Sequence, residues 1–145
     1  MDRNIAALPS YQIGILQSRA NRNLHEMWEN VVSTYDLTTP EWMVLGYVAD
    51  KTKDGGVKVG GIAEELDVQS TYATALLRRL ETKGLVVVRA GSSDRRVRFI
   101  TVTDKGAELV AAISKDVAAQ EQSKLKGVSD AALKHYHEVL AVLAR

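Results

Sequence analysis

At 145 residues, 46% of them apolar and 26% charged, the chain is long enough for one packed domain, too short for two independent ones, and carries no signature of disorder. It contains no cysteine, which excludes disulfides, thiolate zinc sites and cysteine redox sensing. Net charge is only +1, yet between residues 69 and 99 seven cations (Arg78, Arg79, Lys83, Arg89, Arg95, Arg96 and Arg98) face two anions, Glu81 and Asp94, a local excess of +5.

The N-terminus, Met1-Asp2-Arg3-Asn4, leads into an apolar run too short for a signal peptide, and no stretch is long enough to span a membrane. The expectation is a cytoplasmic protein without membrane association. Ile13, Leu16, Ala20, Leu24, Met27, Val31 and Tyr35 recur three and four apart and predict a first long helix over residues 10–35. Thr39 as N-cap, Pro40 at the first helical position and Glu41 beside the helix dipole predict a second helix through residue 50, with Trp42, Leu45, Val48 and Ala49 inward.

Lys53-Asp54-Gly55-Gly56 reads as a turn, and Val57-Lys58-Val59 as a very short strand whose partner is a later hairpin. A third helix over 62–66 starts without a good side-chain cap. After the turn Asp67-Val68-Gln69-Ser70 comes a fourth helix, which Gly84 stops. That fourth helix has two faces: Ala73, Leu76, Leu77 and Leu80 turn inward, while Ser70, Thr71, Thr74, Ala75 and Arg78 form the opposite stripe. A solvated face normally carries long Glu and Lys side chains. Short hydroxyls with one cation instead leave room for the helix to enter a DNA major groove.

Residues 85–89 and 97–102 are β-rich runs joined through Ala90-Gly91-Ser92-Ser93-Asp94-Arg95-Arg96, a hairpin with a cationic tip. Thr103 caps a fifth helix bearing Leu109, Ala112, Ile113, Val117 and Gln120 on one side through residue 124. Ser129-Asp130 opens a sixth, where Leu133, Tyr136, Leu140 and Leu143 form an apolar seam. The apolar stripes of helices one, five and six exceed what one small winged module needs, which points to a homodimer. The fold expected is therefore mainly α with a small β-hairpin wing: a winged helix-turn-helix core (37–103) flanked by dimerisation helices (10–35 and 104–145) in one domain.

This arrangement resembles the MarR family of transcription regulators over nearly the whole chain. The most specific match is Asp94-Arg95-Arg96, a strand, then Thr103-Asp104-Lys105-Gly106, which looks like the family's wing signature. Leu37-Thr38-Thr39-Pro40-Glu41-Trp42-Met43-Val44-Leu45 is similar to its second-helix opening. Ile62-Ala63-Glu64-Glu65-Leu66 and Arg79-Leu80-Glu81-Thr82-Lys83-Gly84-Leu85-Val86 are similar to its helix-turn-helix frame. Three positions depart from the pattern: Asp67 stands where the family usually has Gly, Gln69 where it has a Ser or Thr cap, and Ala75 where many relatives have Arg. Asp tolerates a left-handed turn, and Ser70 is expected to take over the cap.

Gln69, Ser70, Thr71, Thr74, Ala75 and Arg78 are then expected to face DNA, with Arg95 and Arg96 at the wing tip, Arg95 reaching into a minor groove. Asp94 is expected to hold the wing by pairing with a neighbouring Arg, and Arg98, Arg78 and Lys83 to touch phosphate. The resemblance further implies a dimeric repressor on double-stranded DNA with a pseudo-palindromic operator. It also implies a pocket for a phenolic or aromatic-acid effector, for which Trp28, Tyr35, Trp42 and Met43 lie in the right segments and Arg19, Arg22 and His25 offer polar contacts. No catalytic residue, metal or cofactor is expected, since nucleophile and phosphate-loop motifs are missing and His135 and His137, two apart on a helix, diverge. Two alternatives stay open: a winged-helix protein interaction module, and a non-specific architectural DNA binder without a ligand.

Overall fold

In the computed structural model, which describes residues 10–145, six α-helices and one hairpin follow in the expected order. Met1-Asp2-Arg3-Asn4 and the expectation attached to them lie outside those residues. α1 (Ser10–Val32) runs into a single 3-10 turn (Ser33–Tyr35), and Asp36 ends it in a left-handed conformation, φ 57°, with its N–H donating to Ser33 O. The helix anticipated to residue 35 thus tightens over its last three positions.

α2 (Thr39–Thr52) is capped one residue earlier than the sequence predicts. Thr38 Oγ1 accepts the Glu41 N–H at 3.3 Å while Glu41 Oε2 accepts the Thr38 N–H at 3.2 Å, a reciprocal box that satisfies two otherwise orphaned donors. Thr39 is drawn away by α1: its N–H and its hydroxyl both donate to Glu29 Oε2, at 3.3 and 2.7 Å.

Of the short strand anticipated at 57–59, only Val57 pairs, through hydrogen bonds of 3.0 and 2.8 Å with Ile100. Val59 already belongs to α3 (Val59–Glu65), which therefore begins three residues early and, as expected, without a side-chain cap. α4 spans Ser70–Thr82, and Gly84 turns the chain out of it at φ 72°. β1 (Val86–Ala90) and β2 (Arg98–Val102) pair antiparallel, Val86 opposite Val102 and Ala90 opposite Arg98. Thr103 caps α5 (Asp104–Lys124) by accepting the Gly106 N–H, Gly127 breaks the chain at φ 91°, and Ser129 caps α6 (Asp130–Leu143).

One apolar cluster joins these elements: Val44, Leu45 and Val48 of α2, Ile62 of α3, Leu76 and Leu80 of α4, Ile100 of β2 and Ile113 of α5 are all essentially inaccessible to water. Burial of each such side chain stabilises by about 1.5–3 kcal/mol, so the recognition part is held by shared core and not by its turns. The helical layer is different. No residue of α6 is buried, and Ile13, Ile15 and Leu16 at the start of α1 are exposed as well. Among the described residues no helix is long and apolar enough to cross a membrane.

Candidate nucleic-acid interface

The turn between α3 and α4 is made by Asp67, which adopts φ 52° and lets the Val68 N–H return to Ala63 O at 2.9 Å. A left-handed residue is costly for most side chains, and Asp is among the few that adopt it readily. The departure from Gly noted at this position therefore leaves the turn intact. Gln69 is the N-cap of α4 and makes no side-chain cap bond, and Ser70 sits at the first helical position. The expectation that Ser70 takes over capping is not met, and α4 begins with uncapped N–H groups.

Along α4, Ala73, Leu76, Leu77 and Leu80 are buried as the spacing predicts. Gln69, Ser70, Thr71, Ala75 and Arg78 are exposed. Thr74 is half-buried, and its hydroxyl donates to Ser70 O at 2.8 Å, which leaves it only as an acceptor toward a partner.

The wing is closed by a hydrogen bond from Gly91 N–H to Val97 O, 2.8 Å, and one from Val97 N–H to Asp94 O, 3.2 Å. Gly91 is demanded there by space, since a Cβ would stand 2.8 Å from Asp94 O. Asp94 does hold the tip, though not by the side-chain pairing anticipated: its Oδ1 accepts the backbone N–H of Arg96 at 2.9 Å. That leaves the guanidinium groups of Arg95 and Arg96 exposed. In the strand register Ala90 and Arg98 share one face and Arg89 and Phe99 the other, so Arg98 and Arg89 leave the hairpin on opposite sides.

The seven cations divide into two groups. Lys83 folds back on the body of the protein, its ammonium 3.5 Å from Glu41 Oε2, 3.7 Å from Asp36 Oδ2 and donating to Asp36 O; Arg79 Nη1 lies 3.7 Å from Glu41 Oε1. Arg78, Arg89, Arg95, Arg96 and Arg98 make no ion pair among the described residues. An exposed helix stripe of short side chains thus stands beside a wing carrying four of those five cations, an arrangement suited to a polyanion that is grooved as well as charged.

In the helical layer, the residues considered for an effector do not converge on one cavity. His25 meets Trp28 edge-on at 5.2 Å, and Trp28 meets Trp42 at 6.0 Å. The polar tips of Trp28, on α1, and Tyr35, at the end of the 3-10 turn, are engaged by α5: the Trp28 indole N–H donates to Glu121 Oε1 at 3.3 Å, and the Tyr35 hydroxyl donates to Asp116 Oδ2. That hydrogen bond, helped by desolvation and the carboxylate's charge, raises the Tyr35 phenol above its ordinary pKa. Met43 is half-buried, while Arg19 and Arg22 are exposed. A cavity of about 630 Å³ lies between α1, α5 and α6; Trp28 alone of the seven lines it, together with Gln17, Asn21, Leu24, Glu121, Tyr136 and His137 among others.

A sequence model of the MarR family matches residues 35–97, the segment from the end of α1 to the wing tip. The transcriptional activatory protein BadR of Rhodopseudomonas palustris is 37% identical over 83 residues, 57% of this chain; the chain spans about half of that protein, 47%. The HTH-type transcriptional regulator MhqR of Bacillus subtilis is 28% identical over 131 residues, 90% of this chain and 88% of that one. CouR from Rhodococcus jostii RHA1, solved bound to p-coumaroyl-CoA, superposes with a TM-score of 0.83 at 25% identity, covering 95% of both chains. Over residues 35–97 the chain is similar to the MarR family, and its whole fold is similar to that of CouR. BadR and MhqR are transcription regulators, and the chain shares the winged-helix fold of the solved relatives.

Two features of the chain escape a reading of composition and spacing. Tyr72, on the first turn of α4, is exposed although it belongs to neither the inner nor the hydroxyl stripe. Its signal in the sequence was available: it is the one aromatic in α4, and its outward neighbours on the first turn, Ser70 and Thr71, are short. The engagement of Arg79 and Lys83 by Glu41 had no such signal, because the partners are about forty positions apart in the chain.

Proposed function

We propose that the protein works as a homodimeric repressor, each protomer setting α4 into a major groove and its wing along the flanking minor groove of a pseudo-palindromic duplex. The observation that carries this reading is that the exposed stripe Thr71, Ala75 and Arg78 of α4 is followed directly in the chain by a hairpin whose cations Arg89, Arg95, Arg96 and Arg98 are exposed and make no ion pair among the described residues. Gln69, Ser70, Thr71, Thr74 and Ala75 meet base edges and Arg95 enters the minor groove. Arg78, Arg96 and Arg98 neutralise phosphates. Asp94 shapes the tip. Lys83 reaches phosphate only by leaving Glu41, so its larger part in this reading is to hold the end of α4.

Dimerisation is supported by α1 and α6, whose exposed apolar residues are costly in a lone protomer. An aromatic-acid effector is supported by the likeness to CouR, solved with p-coumaroyl-CoA. Such a molecule acts only if it prefers one dimer geometry over another. BadR is named an activatory protein, so activation is the alternative output, which a promoter reporter separates from repression.

The test is selection of bound duplexes from a random pool at moderate salt. A two-fold symmetric motif with half-sites about 34–36 Å apart is expected. Affinity should fall on the order of a thousandfold between 50 and 200 mM salt if about six to ten phosphates are contacted. Robust binding without enrichment of any motif would mean an architectural DNA binder, and no binding at all a protein interaction module.

A further inference from the structure

Tyr72 stands apart from every other exposed apolar side chain. Among the described residues, the remaining large hydrophobic side chains left in water lie on α1, on α6 or at the junction of α5 and α6. Tyr72 alone lies in the winged-helix part, 44% exposed, on the first turn of the helix proposed to enter the groove. Its helical neighbours three residues either way are Gln69 and Ala75, both exposed. A helical side chain leans toward the N-terminus of its helix, so the ring lies over the Asp67–Ser70 turn, and Tyr72 lines the same open concavity as Asp67, Val68, Gln69 and Ser70. Ala75, one turn on, is too short to cover it.

A major groove offers many polar edges and one apolar one, the C5-methyl group of thymine. The apolar face of a phenol ring held in water on a groove-facing helix matches that group, while its hydroxyl is left free to meet a polar edge or water. We propose that Tyr72 is a specificity-determining residue whose ring packs on a thymine methyl near the base pair faced by Gln69. This rests on the DNA-binding reading above and adds to it a chemical preference that the hydroxyl stripe alone does not supply.

The test uses the full-length protein and a duplex it has been shown to bind, with each thymine replaced in turn by deoxyuridine, which removes the methyl and nothing else. One position per half-site is expected to weaken binding about three- to fivefold, the weight of one buried methyl. Tyr72→Ala should bind the thymine duplex more weakly and lose nothing further on the deoxyuridine duplex, whereas Tyr72→Phe should keep the full discrimination. Indifference of the wild-type protein to every replacement would overturn the proposal even if the alanine variant did not fold. So would methyl discrimination that survives in Tyr72→Ala, which would assign the contact to Ala75 or a neighbouring threonine. If no duplex were bound by the wild-type protein, the DNA reading would fall first and this inference with it.

Discussion

Glu41 in the first turn of α2 and Lys83 at the end of α4 hold one another across 3.5 Å, with the glutamate side chain only 4% exposed. Arg79 approaches the other oxygen of the same carboxylate, and Thr38 donates its N–H to it. One acid therefore caps α2 and clamps the C-terminal end of α4. Because Thr39, next to the cap, is tied to Glu29 of α1, a polar path runs from the helical layer to the recognition helix.

Replacement of Glu41 by Ala should lower stability by about 1–2 kcal/mol, the sum of a lost cap and ion pairs screened by solvent on the cationic side. Lys83→Ala should cost less than Glu41→Ala, since Arg79 remains. Urea unfolding measures both, and a Lys83 variant as damaged as the Glu41 one would place the weight on the cation instead of the cap.

Gly106→Ala should be one of the most damaging single-methyl changes in the chain. A Cβ there would stand 2.2 Å from Leu85 O, a carbonyl that also accepts the Thr103 N–H at 3.0 Å and so cannot retreat without opening the start of α5. Overpacking of this kind costs about 1–3 kcal/mol or more, which a thermal melt should show as a Tm lowered by on the order of 5–15 °C. An unchanged Tm would mean that α5 is not docked this closely.

Tyr35 gives the protein a dependence on alkaline pH. Its phenol is stabilised in the neutral form by Asp116, so its pKa in the folded state lies above the ordinary 10.0. The folded state then retains a proton that the unfolded chain releases. The contribution is complete below pH 10 and is lost as pH rises through the folded value. Melts of wild type and Tyr35→Phe between pH 8 and roughly pH 11 should converge at the alkaline end. A gap that widened with pH would reverse the sign of the argument.

The two halves of the proposed function separate under mutation. Arg95→Ala should weaken DNA binding by about tenfold while leaving the assembly intact. Leu140→Asp, on the exposed face of α6, should halve the sedimentation mass. An unchanged mass would remove α6 from the interface, and an Arg95 variant that lost its dimer would mean the wing has been misassigned.

What could be read from the sequence was what is decided locally. Thr103, Ser129 and Gly84 end or begin helices through bonds to residues a few positions away, and each stands where spacing and residue type place it. The inner face of α4 follows from its period. Thr38 and Thr39 are equally good caps in isolation, and the choice between them is made by Glu29, ten residues back. Val57-Lys58-Val59 alternates like a strand, yet only Val57 has an edge to pair with, and Val59 is taken into α3. The bonds that Trp28 and Tyr35, taken from the sequence as candidate pocket residues, make to Glu121 and Asp116 could not be read, because those acceptors lie 93 and 81 positions away. Lys83 read as a phosphate-contacting cation because its partners Asp36 and Glu41 are likewise more than forty positions away.

α3 is seven residues long, starts without a side-chain cap and carries Gly60 and Gly61 in its first turn. Each glycine costs a helix about 0.5–1 kcal/mol relative to alanine, so this element persists through Ile62 and Ala63, which are buried in the core. In time rather than in space, the helix-turn-helix is therefore uneven: α3 opens more often than α4. Amide exchange followed by mass spectrometry should reach residues 59–65 before 73–80, and equal protection would refute the inference. On the DNA-binding function proposed above, a duplex would meet a recognition helix already in place and a supporting helix that still opens, so ordering of α3 should be part of binding.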